Sequence, residues 1–190
     1  VGQTAKSVHA SASQAGNSIR LSWNAYEGWD NGVESYKIQR FDDASQSYIE
    51  IQEVMGGITE FEDLSPLGGN TLNCYRIIAV ELEGNQMISV SNSNCVGLDP
   101  ILFTATGFTP NGDGINDVFK VTVSFVDTYQ LTIYNRWGKV VFRTDNPQVS
   151  WDGRTQSGEL APEGVYLYSV TGYGKRGKFV QNNGSVSLIR

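Results

Sequence analysis

Histidine, cysteine and methionine are nearly missing from the sequence: one His, two Cys and two Met in 190 residues. The lone His9 stands in a polar segment with no Cys or His at ligand spacing, and it lies too near one end to build a Ser-His-Asp constellation. Metal and nucleophilic catalysis of the usual kinds lose their ingredients. No apolar run approaches the roughly eighteen residues needed to span a bilayer, and the start, VGQTAKSVHASAS, has no apolar segment of the kind an export signal carries. The expectation is a mature or excised piece, or a chain that never met the export machinery. Positive charge is scarce in one half only. Residues 1–100 hold 5 Lys/Arg against 13 Asp/Glu, and residues 101–190 hold 9 against 7. The halves therefore stand near −8 and +2, which places a boundary around Gly97 to Pro100 and argues against nucleic acid as the main partner, since its backbone would repel the first half.

What is present is a succession of short alternating runs with turn residues between them. A chain of this length supports one large sandwich or two domains of about 90 to 100 residues. In the first half, SIRLSW, VESYKIQRF, SYIEIQEV, CYRIIAVELE and MISVSN have the period of two and the Val, Ile and Tyr content of strands. Ile19, Leu21 and Trp23 share one face of their strand, and Tyr75, Ile77 and Ala79 form the inward set of another. Trp23 is a core filler whose indole N–H needs a partner. Cys74 and Cys95 are equidistant from the dipeptide Gly84-Asn85. A hairpin folded there sets the two cysteines face to face, and a disulfide then points to an oxidising compartment; the other reading is two separate small apolar side chains.

Trp23 on the second strand, Leu64 in the turn EDLSPL and Tyr75 starting the sixth strand resemble the markers of a fibronectin type III domain over about residues 4–96. The resemblance implies a seven-strand sandwich in which the Tyr75 hydroxyl ties the neighbouring loop. The loop NAYEGWDNGVESY carries Tyr26, Trp29, Glu27 and Asp30. Aromatics beside carboxylates can stack on a sugar or an aromatic partner; the structural alternative is that Trp29 covers an open edge of the core while the acids face water.

From Ile101 the pattern is again strand: DVFKVTV, YQLTIYNRWG, KVVFRT, GVYLYSVTGYG and SVSLIR. Tyr129, Leu131 and Ile133 point one way. GVYLYSV is apolar or aromatic on both faces, which predicts a central or covered strand. FTPNGDGINDVF (108–119), LTIYNRWGKVVF (131–142), WDG (151–153), PEGVYLYSV (162–170) and the terminal GSVSLIR occur in one order. Together they resemble the gliding motility-associated C-terminal domain, the type B sorting domain of the type IX secretion system in Bacteroidota, over residues 101–190. The lead-in ILFTATGF departs from the family's PNAF, with Thr106 and Gly107 in place of Asn-Ala. The resemblance implies a targeting module at the end of large exported proteins, including gliding adhesins, whose parent extends N-terminally. It implies no catalysis, a partner in an outer-membrane translocon component or its shuttle protein, and a cell-surface or secreted destination reached through the periplasm. The stop at Arg190, directly after the last strand, is similar to the natural end of such proteins.

A domain read by a translocon needs a specific surface, not a catalytic pocket. The candidates are the turn with Asn135, Arg136 and Trp137, the basic turn with Lys175, Arg176 and Lys178, and the terminal strand from Ser185 to Arg190. For each there is a structural alternative: Trp137 as a turn-packing residue, the basic turn as a solvated tip, the last strand as completion of its own sheet.

TPNGDGIND offers calcium-type oxygens from Asn111, Asp113, Asn116 and Asp117. It fails as an EF-hand, because Thr109 stands at the first position and Lys120 at the twelfth. A calcium site would need Asp127, Asp145 or Asp152 from elsewhere in the fold. No cofactor is required for the alternative, in which Asn and Asp accept from backbone N–H groups two residues on, glycines take positive φ, and Ile115, Val118 and Phe119 anchor the loop. WDG reads alike, with Trp151 packed beneath a turn at Asp152-Gly153. The sequence thus predicts an all-β chain of two tandem β-sandwiches, residues 1–97 and 101–190, with a Cys74–Cys95 disulfide in the first and a sorting domain in the second. The rival function is an adhesion or carbohydrate-binding fragment of a surface protein.

Overall fold

Runs of period two separated by Gly, Asn, Asp and Ser leave little choice but strand pairing, and the described residues fold as fifteen strands without a helix. The structure is a computed structural model that describes residues 7–68, 72–83 and 87–190. The chain forms two units, Val1–Leu98 and Asp99–Arg190. No described helix is long and apolar enough to cross a membrane.

The first unit contains β1 (Ala10–Ala15), β2 (Ser18–Trp23), β3 (Val33–Asp42), β4 (Ser47–Met55), β5 (Glu60–Asp63), β6 (Asn73–Glu81), β7 (Ile88–Val90) and β8 (Asn94–Val96). One sheet has the order β1-β2-β5 and the other β4-β3-β6-β7, with β8 also on β6. Ile19, Leu21 and Trp23 from the first sheet are buried together with Tyr36, Ile38, Tyr75, Ile77 and Ala79 from the second. Trp23 meets Tyr36 edge to face at 5.6 Å, while its buried Nε1 has no hydrogen-bond partner among the described residues. Among the described residues the expected indole partner is thus not found.

Tyr75 donates its hydroxyl to Asp63 Oδ2 at 2.8 Å, and Arg40 Nη1 donates to the same oxygen at 2.7 Å. Asp63 Oδ1 also accepts from Ser65 N, so this carboxylate, and not Leu64, fixes the EDLSPL turn. Leu64 is 76% exposed. Cys74 and Cys95 are bonded, directly opposite one another on β6 and β8. The register changes nearer the turn. Continuation from the cysteines would set Ile78 opposite Ser91, but Ile78 faces Val90. The returning chain therefore holds one extra residue between β7 and β8, and Ser91 exchanges backbone and hydroxyl bonds with Ile77 there. The dipeptide Gly84-Asn85 lies outside the described residues.

The second unit contains β9 (Ile101–Thr104), β10 (Gly107–Phe108), β11 (Val121–Ser124), β12 (Val126–Tyr134), β13 (Val140–Thr144), β14 (Gly164–Gly174) and β15 (Phe179–Leu188). Its main sheet has the order β10-β15-β14-β12-β13, and β9 pairs with β11 in a second layer. Tyr129, Leu131 and Ile133 of β12 and Tyr166, Tyr168 and Val170 of β14 face a core shared with Phe108, Phe119, Trp151, Val186 and Leu188. β14 is internal to the sheet, between β12 and β15, yet Val165 and Leu167 on its other face are exposed. Strand centrality explains the continuous apolar run only in part.

The motifs that follow one another along the sequence become a set of contacts. Phe119 and Trp151 exchange two backbone hydrogen bonds of 2.8 and 3.1 Å. Phe108 lies 5.2 Å from the Trp151 ring, and Trp151 meets Tyr166 edge to face at 4.9 Å. Arg190 closes the cluster by donating to the carbonyls of Ala161 and Gly153. Four widely spaced segments thus build one aromatic core.

Candidate functional site

The opening loop holds itself. Asp117 accepts from Gly112 N at 2.7 Å and from Gly114 N at 2.8 Å, one carboxylate oxygen to each. Asn111 Oδ1 takes Asp113 N, and Asp113 Oδ1 takes Ile115 N, the two-residue step of an Asx turn. Gly112 and Gly114 have φ of 81° and 84°, and Asn116 joins them at 55°, so the peptide N–H groups turn inward onto these side chains. Hydrogen bonds from Asn111 and from Ile115 N hold the Asp113 carboxyl below its ordinary range. Among the described residues no three His, Cys, Asp or Glu side chains gather as a metal group. Asp127, Asp145 and Asp152 therefore do not complete a set with Asp113 and Asp117. Phe119 is fully buried and anchors the loop, but Ile115 and Val118 are exposed, because the anchoring contact is the Phe119–Trp151 pair.

At the β12–β13 connection, Asn135 accepts from both Trp137 N and Lys139 N at 3.0 Å through its side chain. Gly138 N closes the turn on Asn135 O. With the backbone so satisfied, Trp137 is not needed to pack the turn. It is 77% exposed, with the Arg136 guanidinium 4.7 Å above its ring. The turn-packing alternative for Trp137 thus finds no support in this geometry. Beside it opens a groove of about 670 Å³ between this turn and the 155–165 segment, lined in part by Val140 and Val165. Arg136 and Lys139 line it as well, as do Glu159 and Glu163, and among the described residues no ion pair joins these four. GVYLYSV has two apolar faces in the sequence, which predicts a central or covered strand, whereas Val165 is exposed here. The acids of the facing segment carried no such signal.

Lys175, Arg176 and Lys178 sit in the β14–β15 turn, closed by Gly174 N to Lys178 O and Gly177 N to Gly174 O. Lys178 is spent on an ion pair with Asp99. Lys175 and Arg176 are exposed. This turn lies at the opposite end of the sheet from Trp137, because Tyr134 pairs with Leu167 whereas Val126 pairs with Gly174. Seven residues of strand separate the two places by roughly 24 Å, so the two sets of candidate contacts are separate sites. In the first unit Tyr26 and Trp29 lie ring to ring at 4.2 Å, both half-buried, with Glu27 and Asp30 exposed beside them. His9 is exposed and its backbone N–H is taken by Asn24.

Residues 102–188 match the family model of the CHU_C type IX secretion signal domain. No curated protein matches the chain. Among solved structures it is similar to a two-domain fibronectin type III segment of chicken tenascin, at 18% identity over 96% of this chain and 98% of that one, with a TM-score of 0.40. A tandem repeat from the extending region of a large adhesion protein matches at 16% identity, 96% and 50% coverage and a TM-score of 0.34. Pectate lyase Pel3 of Pectobacterium carotovorum matches at 20% identity over 49% of this chain with a TM-score of 0.40, and the match spans only 27% of the lyase.

Proposed function

With residues 102–188 forming a type IX secretion signal domain of the CHU_C family, a non-catalytic module that directs proteins to the cell surface, we propose where and by what it is read. The reader is an outer-membrane translocon component or its shuttle protein, and the chain belongs to a larger exported protein whose own activity lies N-terminal to the signal domain. The contact is the Arg136–Trp137 ledge with the groove beside it. One observation carries this reading: a tryptophan that its own turn does not need stands exposed beside a groove of mixed polar and apolar lining. Exposed large aromatics and arginines, once desolvated by a partner, dominate the energetics of interfaces. The ledge is pre-ordered by the Asn135 bonds and by the guanidinium stacked on the indole, so little freedom is lost on docking.

The full chain, fused behind a reporter with an export signal, should reach the surface of a type IX-competent bacterium and remain periplasmic when residues 99–190 are deleted. Equal release from a translocon-null strain refutes the sorting role. In the competent strain Trp137→Ala should lower surface delivery without lowering the melting temperature.

The adhesive reading rests on Tyr26 and Trp29, whose paired rings beside two exposed acids form an aromatic ledge in the first unit. Glycan-array binding that disappears in Trp29→Ala would favour it; delivery of the reporter is unaffected by that change if sorting resides in the second unit alone.

A further inference from the structure

A sheet edge in the second unit is open over most of its length. β15 pairs with β14 in an unbroken register from Gly164↔Leu188 to Tyr173↔Phe179. The next lane is filled only at one end, where β10 runs parallel to Ser187 and Leu188. Ser187 N donates to Thr106 O and Ile189 N to Phe108 O, so the odd-numbered residues direct their backbone groups away from β14. Gly174 N donating to Lys178 O places the even-numbered residues on the β14 side, in agreement. By the two-residue period of a strand, Phe179, Gln181, Asn183 and Ser185 turn their N–H and C=O groups to the open lane. None of these four has a backbone partner there among the described residues.

Such an edge is normally blunted by a lysine, a proline or a bulge. From Phe179 to Ser185 the sequence is FVQNNGS, without a charge or a proline, and the register shows no bulge. Gly184 is glycine because a Cβ there would lie 2.6 Å from the Tyr168 hydroxyl, so the inward rim of the lane is also low. At the Phe179 end stand Lys175 and Arg176, exposed and with no ion pair among the described residues. Lys178 is already neutralised by Asp99. The lane thus combines hydrogen-bonding backbone with positive charge at one end only.

We infer that this edge accepts an extended strand from the secretion machinery by β-strand addition, with acidic residues at the end that meets Lys175 and Arg176. The guest is about five to seven residues long, the span of Phe179 to Ser185 at roughly 3.3 Å per residue. Its uncharged central part lies beside Gln181, Asn183 and Ser185. This rests on the sorting reading, and it concerns a surface distinct from the Trp137 ledge.

Asn183→Pro removes one outward N–H and leaves the bonds to β14 in place; Asn183→Ala keeps that N–H. In the full-chain reporter fusion, Asn183→Pro should lower surface delivery by about an order of magnitude, whereas Asn183→Ala should be delivered as the parent is. The charge reversal Lys175→Glu with Arg176→Glu, which leaves the strand untouched, should also lower delivery several-fold. Normal delivery of a folded Asn183→Pro chain overturns the inference. If that variant fails to fold, the charge reversal decides, and its normal delivery overturns the inference instead. Self-association of the purified chain that Asn183→Pro abolishes also overturns it, since the edge then serves a second copy. Failure of the unaltered fusion to reach the surface counts against the sorting reading and is seen before any variant is made.

Discussion

Asp117 shows how one carboxylate can hold a glycine-rich loop by accepting its backbone N–H groups. Its two oxygens take the N–H groups of Gly112 and Gly114, gathering a glycine-rich path around a carboxylate. Asp117→Ala frees two donors and should destabilise the second unit by about 1 to 2 kcal/mol at net worths of about 1 kcal/mol per bond. Millimolar calcium, by the same argument, should leave that unit's melting temperature unchanged, because the carboxylates are already engaged; a calcium-dependent rise lost in Asp113→Ala would show that the loop is a metal site after all. Tyr129 makes a pH prediction. Burial pushes its phenol up to about 12 from an ordinary 10.0. A group with a raised folded pKa stabilises the fold fully below its unfolded value and loses that contribution as the pH climbs through the folded one. Stability of the second unit should therefore fall between pH 10 and 12, and less steeply in Tyr129→Phe, as followed by denaturant melts across that range.

Elements were readable from the sequence wherever one face is buried and the other is wet. In β2 and β12 the alternation of large apolar residues with Ser, Arg, Gln or Thr names the core face directly. It fails where function or geometry breaks the alternation. Val165 and Leu167 look buried in the sequence because apolar residues ordinarily are, and nothing local says that their face of β14 lacks a cover. The exposure of Leu64 and Trp137 has a related cause: polar neighbours, Asp63 and Asn135, already satisfy the turns in which those side chains sit. The cysteine pairing was legible only through a count that assumed an unbroken hairpin: the register nearest the turn, Ile78 opposite Val90, would set Cys74 against Asn94, and the extra residue brings Cys95 into place. That extra residue between β7 and β8 was not legible, since a bulge leaves the sequence period of each strand intact. The open edge of β15 was hidden too. Pairing partners lie far away in sequence, and only the short β10 shows that the lane is filled at one end.

At the scale of the whole molecule, the disulfide belongs entirely to one unit while the other has none, since Cys74 and Cys95 are the only cysteines. Each unit has its own buried set of side chains, which is the condition for separate cooperative melting. A cross-link over 21 residues of chain restricts the unfolded first unit by about 3 kcal/mol in the loop-entropy model. For a domain of this size that corresponds to a melting shift of roughly 10 to 20 °C. Calorimetry of the intact chain should therefore resolve two transitions, of which only one moves down when Cys74 and Cys95 are both replaced by Ser. The Asp117→Ala and Tyr129→Phe changes should move the other. A single transition displaced by all of these variants would mean that the two units unfold as one body. Separate transitions would make mechanical sense of the order along the chain: a first unit locked by a covalent bond formed in the oxidising compartment, followed by a second unit whose surface is displayed without depending on that bond.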